Sequence, residues 1–159
     1  QHGYYSRFMS LAEEVNSRMP EHVVQLVADG LNDEEKAVKG SNVLLLGVAY
    51  KRDVDDVRES PALSIIDRLR AKGANVRYHD PFVKEVRFDD AHIEASGEPL
   101  SSLPLTDEEL KSTDCVIIVT DHSEIDYKRV CSLVPLIVDT RNALNGEVRS
   151  ASKARVIRL

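Results

Sequence analysis

The stretch VLLLGVAYKRDVDDVRESPALSIIDRLRAKGANVRYHDP, Val43 to Pro81, decides the fold: it reads as strand, polar loop, helix and strand. Val43 to Val48 is apolar and rich in valine and leucine, which suits a strand buried on both faces of a parallel sheet. Gly47 leaves room at its carboxyl end. The loop Tyr50 to Glu59 sets Lys51, Arg52 and Arg58 against Asp53, Asp55, Asp56 and Glu59, and has too little apolar content to be core. Ser60 followed by Pro61 starts a helix, because the serine oxygen accepts an orphan amide hydrogen bond and proline at the first helical position has its φ preset. Ala62, Ile65, Ile66 and Leu69 share one face of that helix, and Gly73 stops it. Asn75 to His79 returns as a second strand before a turn at Asp80 and Pro81, completing a βαβ unit with a right-handed crossover.

Working outward, Cys115 to Thr120 and Leu136 to Asp139 read as strands, Tyr127 to Leu133 as a helix, and Val156 to Leu159 as a last edge strand. A brief helix capped by Thr106 or Asp107 ends near Lys111. Between Val83 and Leu105, charges, Gly97 and two prolines predict a short strand and a variable loop. Upstream, Phe8, Leu11, Ala12, Val15 and Met19 share a helical face, and Pro20 is expected to start a second helix carrying Val23, Val24, Val27 and Leu31. The expected fold is α/β, a Rossmann-like three-layer αβα sandwich with a mostly parallel sheet, preceded by N-terminal helices. Its division is residues 1–39 for the helices and 40–159 for the sheet domain.

Ligands of such sheets bind beyond the carboxyl ends of the strands. Three tips converge there: the Tyr50 to Arg58 loop, the Asp121 to Ser123 turn and the Asp139 to Asn142 turn. The charged loop suggests an anionic ligand. A Gly-x-Gly-x-x-Gly fingerprint is missing after Gly47, so this edge is not a standard dinucleotide site.

GVAYKRDVDDVRESPA (Gly47 to Ala62), with LAEEVNSRMP (Leu11 to Pro20) upstream and HDP (His79 to Pro81) downstream, resembles the C-terminal, UDP-binding domain of the UDP-glucose/GDP-mannose dehydrogenase family. The wording is most similar to the UDP-N-acetylglucosamine 6-dehydrogenase branch, and the likeness is weakest between Lys84 and Leu105. The resemblance implies an NAD-dependent parent enzyme of polysaccharide biosynthesis that oxidises the C6 alcohol of a UDP-sugar to a carboxylate with two NAD+. It implies that Tyr50 and Lys51 contact the nucleotide sugar, that Arg141 binds its UDP end, and that Arg58 reaches toward NAD held by another domain. It further implies a homodimer through the N-terminal helix. The alternative, that both N-terminal stripes merely cover the local core, stays open.

The residues themselves carry parts of this. Lys51 is a flexible cation beside a strand tip, and Arg141 offers a planar pair of donors for phosphate. Arg58 by itself is expected to pair with Glu59 or Asp55, and Arg141 with Asp139 or another nearby acid. Asp53, Asp55 and Asp56 lack the glycine and distal glutamate of a calcium loop, so no metal site is expected. Asp121, His122 and Ser123 are adjacent in sequence and cannot converge as a catalytic triad; they are expected to cap the next helix or line the pocket edge. Cys115 and Cys131 read as buried free thiols, and no catalytic residue is assigned to this chain.

At 159 residues and a net charge of −6, the chain has room for one core and carries no basic, aromatic-interleaved surface for nucleic acid. No apolar run approaches the ~18–20 residues of a membrane span, and no signal-peptide pattern is present, so a cytoplasmic protein is expected. The chain opens on Gln1 and is expected to be a truncated or processed piece, inactive alone. The rival reading is a non-catalytic dimerisation or regulatory module on the same scaffold.

Overall fold

The computed structural model describes residues 7–87, 99–150 and 152–159, with side chains from residue 17 onward. Five parallel strands form the main sheet: β1 (Asn42–Leu46), β2 (Asn75–His79), β5 (Cys115–Ile118), β6 (Leu136–Asp139) and β7 (Arg155–Arg158), in the order β2-β1-β5-β6-β7. Register runs Val43 opposite Val76 on one side of β1 and Val43 opposite Cys115 on the other. The order reverses direction at β1/β5, which places the crevice of a doubly wound sheet between these two tips.

The chain alternates faces because successive strand residues point to opposite sides. Val43, Leu45, Cys115, Ile117, Leu136 and Val138 pack under α1 (Arg7–Asp33) and α2 (Pro61–Ala71). Leu44, Leu46, Val116, Ile118 and Ile137 pack on the other face, under α3 (Asp107–Lys111), α4 (Tyr127–Leu133) and α5 (Gly146–Ser150). The three-layer sandwich is therefore as the sequence predicts. A small antiparallel pair, β3 (Glu85–Val86) with β4 (Leu100–Ser101), closes beside β2. Tyr78 on β2 anchors it by donating its hydroxyl toward the carbonyls of Val83 and Leu100.

Helix starts follow the local chemistry. Ser60 Oγ accepts the amide of Ala62, with Pro61 in the first turn; Thr106 accepts from Glu109, and Asp126 from Arg129. Gly73 turns the chain after α2 at φ +85°.

Two expectations change. Pro20 does not open a second helix: it lies inside α1, which runs unbroken from Arg7 to Asp33. Loss of one amide bond at proline costs about 3 kcal/mol or more, yet the helix continues. Beyond it, Val23, Val24, Val27 and Leu31 are buried against α2 and the sheet, each fixing its turn by about 1.5–3 kcal/mol. Gly30 lets α1 lie close on the sheet, since a Cβ there would sit 2.8 Å from Ile157 and 2.9 Å from Leu136 side-chain carbons. The upstream stripe of Phe8, Leu11, Ala12 and Val15 lies outside the described side chains. Helix α5 is the second change: nothing in the sequence marked it, and its only buried residue is Val148. Among the described residues no helix is long and apolar enough to cross a membrane.

Candidate functional site

The strand tips meet tightly at the switch point. Gly47, at φ +78°, approaches β5 so closely that a Cβ would lie 2.4 Å from the Thr120 carbonyl oxygen and 2.6 Å from its Cβ. Glycine is required there by both conformation and space. Thr120 in turn donates its hydroxyl to the Ala49 carbonyl, and the amides of Val119 and Thr120 bond the Leu46 carbonyl.

Beside this closure, on the α1/α2 side, a cavity of about 500 Å³ opens. Its apolar wall comes from Met19, Pro20 and Val23 of α1, with Ile65 of α2 and Val119. Tyr50, Glu59, Thr120, Thr140 and Arg141 supply its polar rim. Of the sequence-predicted binding residues, Tyr50 and Arg141 line this cavity directly. Lys51 does not line it; its ammonium sits 5.5 Å from the centre of the Tyr50 ring, beside the wall. Arg58 does not line it either, although its neighbour Glu59 does, and its side chain is exposed.

Arg141 is held by its backbone and left partly free at its head. Buried Asp139 accepts the amides of Arg141 at 3.1 Å, Ala143 at 3.0 Å and Leu144 at 3.1 Å, which shapes the turn after β6. The guanidinium meets a different acid, with Nε 3.6 Å from Asp121 Oδ1, and its side chain is 49% exposed. Asp121 also forms an ion pair with Arg52, whose guanidinium pKa it raises through a side-chain hydrogen bond. One carboxylate thus gathers a cation from each of two neighbouring loops.

Arg58 pairs with Asp56, correcting the expected pairing with Glu59 or Asp55. Its Nε and terminal nitrogen reach the two Asp56 oxygens at 3.0 and 2.8 Å. That fork holds the Asp56 carboxyl well below the usual range, at about 2, chiefly through the side-chain hydrogen bond. Asp53 is tied elsewhere: its carboxylate accepts the amide and hydroxyl of Ser123 at 2.9 and 2.8 Å, and those bonds lower its pKa.

His122 is the residue that sequence reasoning misplaced. It neither caps α4, which Asp126 does, nor lines the cavity; it is fully buried, with Nε2 3.0 Å from Asp80 Oδ2. Asp80, read only as a turn residue, also accepts the amides of Val48 and Ala49. Asp80 thereby ties the tip of β2 to the chain leaving β1. The segment after Gly47 carries no second glycine before Gly73, so it lacks the glycine-rich turn of a standard dinucleotide site.

Cys115 and Cys131 are both buried free thiols, as expected, and burial pushes both pKa values up. Neither presents an activated thiolate.

A parallel doubly wound sheet with a polar-rimmed cavity beside its strand tips places the domain in the Rossmann-like class. The family follows from the sequence: residues 44–146 match the UDP binding domain of the UDP-glucose/GDP-mannose dehydrogenase family, and the chain belongs to that family. It is 33% identical over 147 residues to a UDP-glucose 6-dehydrogenase from Rickettsia bellii, covering 89% of this chain and 32% of that protein. It is 31% identical over 153 residues to a UDP-N-acetyl-D-mannosamine dehydrogenase from Methanocaldococcus jannaschii, covering 90% and 31%. The two specificities match about equally, so neither singles out the narrower branch suggested by the loop wording. In three dimensions it resembles the NDP-N-acetyl-D-galactosaminuronic acid dehydrogenase of Methanosarcina mazei Go1, with a TM-score of 0.74 and 25% identity over 99% of this chain and 33% of that one. The chain spans about a third of the length of the curated relatives it matches.

Proposed function

We propose that this chain is the nucleotide-sugar-binding domain of an NAD-dependent UDP-sugar 6-dehydrogenase acting on UDP-glucose or a UDP-N-acetylhexosamine. The observation that carries the proposal is the cavity of about 500 Å³ with an apolar wall on one side and Tyr50 and Arg141 on its rim. An apolar wall suits a planar base, while a partly free guanidinium suits a diphosphate. Lys51 adds a mobile point charge beside Tyr50.

In this reading the chain orients its substrate and breaks no bond. Binding the UDP end fixes where the remote sugar alcohol lies, raising its effective concentration at catalytic groups contributed from outside these residues. NAD would supply hydride acceptance. The segment after Gly47 lacks the glycine-rich turn of a standard dinucleotide site, and in this reading the exposed Arg58 meets a cofactor held by another domain. Dimerisation through α1 belongs to the same proposal.

Calorimetric titration of the whole protein with UDP tests the reading. Removing Arg141 (Arg141→Ala) forfeits charge-assisted hydrogen bonds of about 1.5–3 kcal/mol, so UDP affinity falls by about 10- to 100-fold. Lys51→Ala costs less, about 3- to 10-fold, because an exposed ammonium is screened by water. Affinity equal to wild type in both variants would exclude the assigned roles. Absence of UDP-sugar-dependent NADH formation by the whole protein would exclude the reaction.

A further inference from the structure

The tip of β2 contains a second built site, one that faces inward. Asp80 Oδ2 accepts the amides of Val48 at 2.7 Å and Ala49 at 3.1 Å, and Oδ1 accepts those of Phe82 at 2.9 Å and Val83 at 3.0 Å. His122 Nε2 lies 3.0 Å from the same Oδ2. An acceptor so surrounded by donors requires Nε2 to carry the imidazole proton. The other ring nitrogen, Nδ1, lies 2.9 Å from the backbone nitrogen of Asp53. An amide only donates, so Nδ1 presents its lone pair. The two contacts together select one neutral tautomer of a fully buried ring.

Asp53 is the far end of this chain of contacts. It adopts φ +59°, a left-handed backbone uncommon outside glycine that aspartate tolerates better than most residues, and contacts on both its amide and its carboxylate hold it there. The holding groups are His122 Nδ1 on its amide and Ser123 on its carboxylate. Asp53 lies within the turn that the Tyr50 amide closes onto the Asp56 carbonyl at 2.7 Å.

The geometry points to a tautomer-specific latch: His122 is a positioning residue that, through the Asp53 amide, holds the Tyr50–Lys51 segment at the cavity rim for a nucleoside diphosphate. This rests on the cavity being the UDP site. Asp53 Oδ1 itself lies 3.6 Å from Nδ1 and is engaged by the Ser123 amide. The charged groups facing the ring are Asp80 and Asp53. Phe82 covers it with ring centres 5.1 Å apart, Tyr127 donates its hydroxyl to the His122 carbonyl, and neighbouring Asp121 is paired with Arg52.

The test separates the two ring nitrogens in the whole protein. His122→Gln keeps a donor for Asp80 and loses the acceptor for Asp53; His122→Asn keeps the acceptor and loses the donor. Asp53 amide hydrogen exchange and UDP affinity are measured in both. His122→Gln is expected to speed Asp53 exchange and weaken UDP, each by about tenfold, the size of one lost hydrogen bond. His122→Asn is expected to stay within about twofold of wild type. Equal losses in the two variants, or none in either, overturn the latch and leave His122 a structural residue. Should wild type bind no UDP, the cavity reading fails while Asp53 exchange still decides the latch.

Discussion

At the tips of β1 and β2 the polar groups are matched to one another: Asp80 accepts four backbone amides and faces a buried imidazole. Around the tips of β5 and β6, a few residues away, a cavity remains open and the Arg141 guanidinium is half exposed. Both regions place an acid at the end of a strand, Asp80 after β2 and Asp139 at the end of β6, and in both it gathers the amides of the following turn. The difference is what lies in front of the β1 amides. Asp80 reaches across to them and closes that side with the protein's own carboxylate, whereas Asp139 bonds only its own turn and leaves the Arg141 guanidinium half exposed beside Asp121 at the open cavity. One side of the switch point is internally satisfied and the other is not.

The largest effect expected from disturbing this arrangement is at the junction between the two sides. Gly47→Ala places a Cβ against Thr120 backbone atoms, which no side-chain rotation relieves, at a φ that disfavours alanine. Left-handed strain of about 1–2 kcal/mol and overpacking of about 1–3 kcal/mol add to a loss on the order of 4 kcal/mol. Urea denaturation should show the unfolding free energy lowered by that amount or the protein failing to fold. An unfolding free energy within about 1 kcal/mol of wild type would mean that the strand tips are not closed as described.

Next is Asp80→Asn, which turns one acceptor oxygen into a donor. Its amide then faces either the Val48 and Ala49 N–H groups with His122, or those of Phe82 and Val83. With His122 neutral, what is lost is hydrogen bonding of buried donors to a carboxylate, about 1–3 kcal/mol, at the upper end if His122 cannot change tautomer without confronting the Asp53 amide. The same substitution at Asp139, also buried, should cost less, because its partners are three amides of one turn that can shift together. Equal losses at the two positions would erase the distinction between a carboxylate that joins two strand tips and one that orders a single turn.

The sheet was legible because buried parallel strands are continuous apolar runs, and Val43 to Val48, Cys115 to Thr120 and Leu136 to Asp139 are such runs. Ser60-Pro61 and Thr106 announced their helices through capping chemistry that acts within a few residues. Pro20 misled because its local cost is real, yet α1 is held by packing beyond it. The Tyr50 and Arg141 neighbourhood could be anticipated from strand-tip position together with the family likeness. Asp80 and His122 could not: they meet across 42 residues of chain, and each alone reads as an ordinary turn or cap residue. Arg58 found Asp56 instead of Glu59 for a similar reason, since the turn that selects between adjacent acids is set by Asp53 and Glu59, both at positive φ.

That Arg58–Asp56 pair supplies the smallest expected effect and the sharpest test of how loosely the open side is held. Arg58 is 80% exposed on its side chain, so the pair is screened by water and contributes little to stability at neutral pH. Its signature is instead in acid. Asp56 is depressed from 3.8 to about 2 in the folded protein. A depressed carboxylate stabilises the fold above its unfolded pKa and loses that contribution as pH falls through the folded one. The window is therefore about pH 4 down to 2. In Arg58→Ala the side-chain hydrogen bond disappears while the backbone amide of residue 58 still reaches Asp56, now at 3.0 Å. Its pKa, followed by NMR titration, should rise only partway toward 3.8, with stability at pH 7 unchanged within the scatter of surface substitutions. A full return to 3.8 would show that the turn itself depends on the arginine. No shift would show that the pair is absent in solution and that Arg58 already stands free at the edge of the loop.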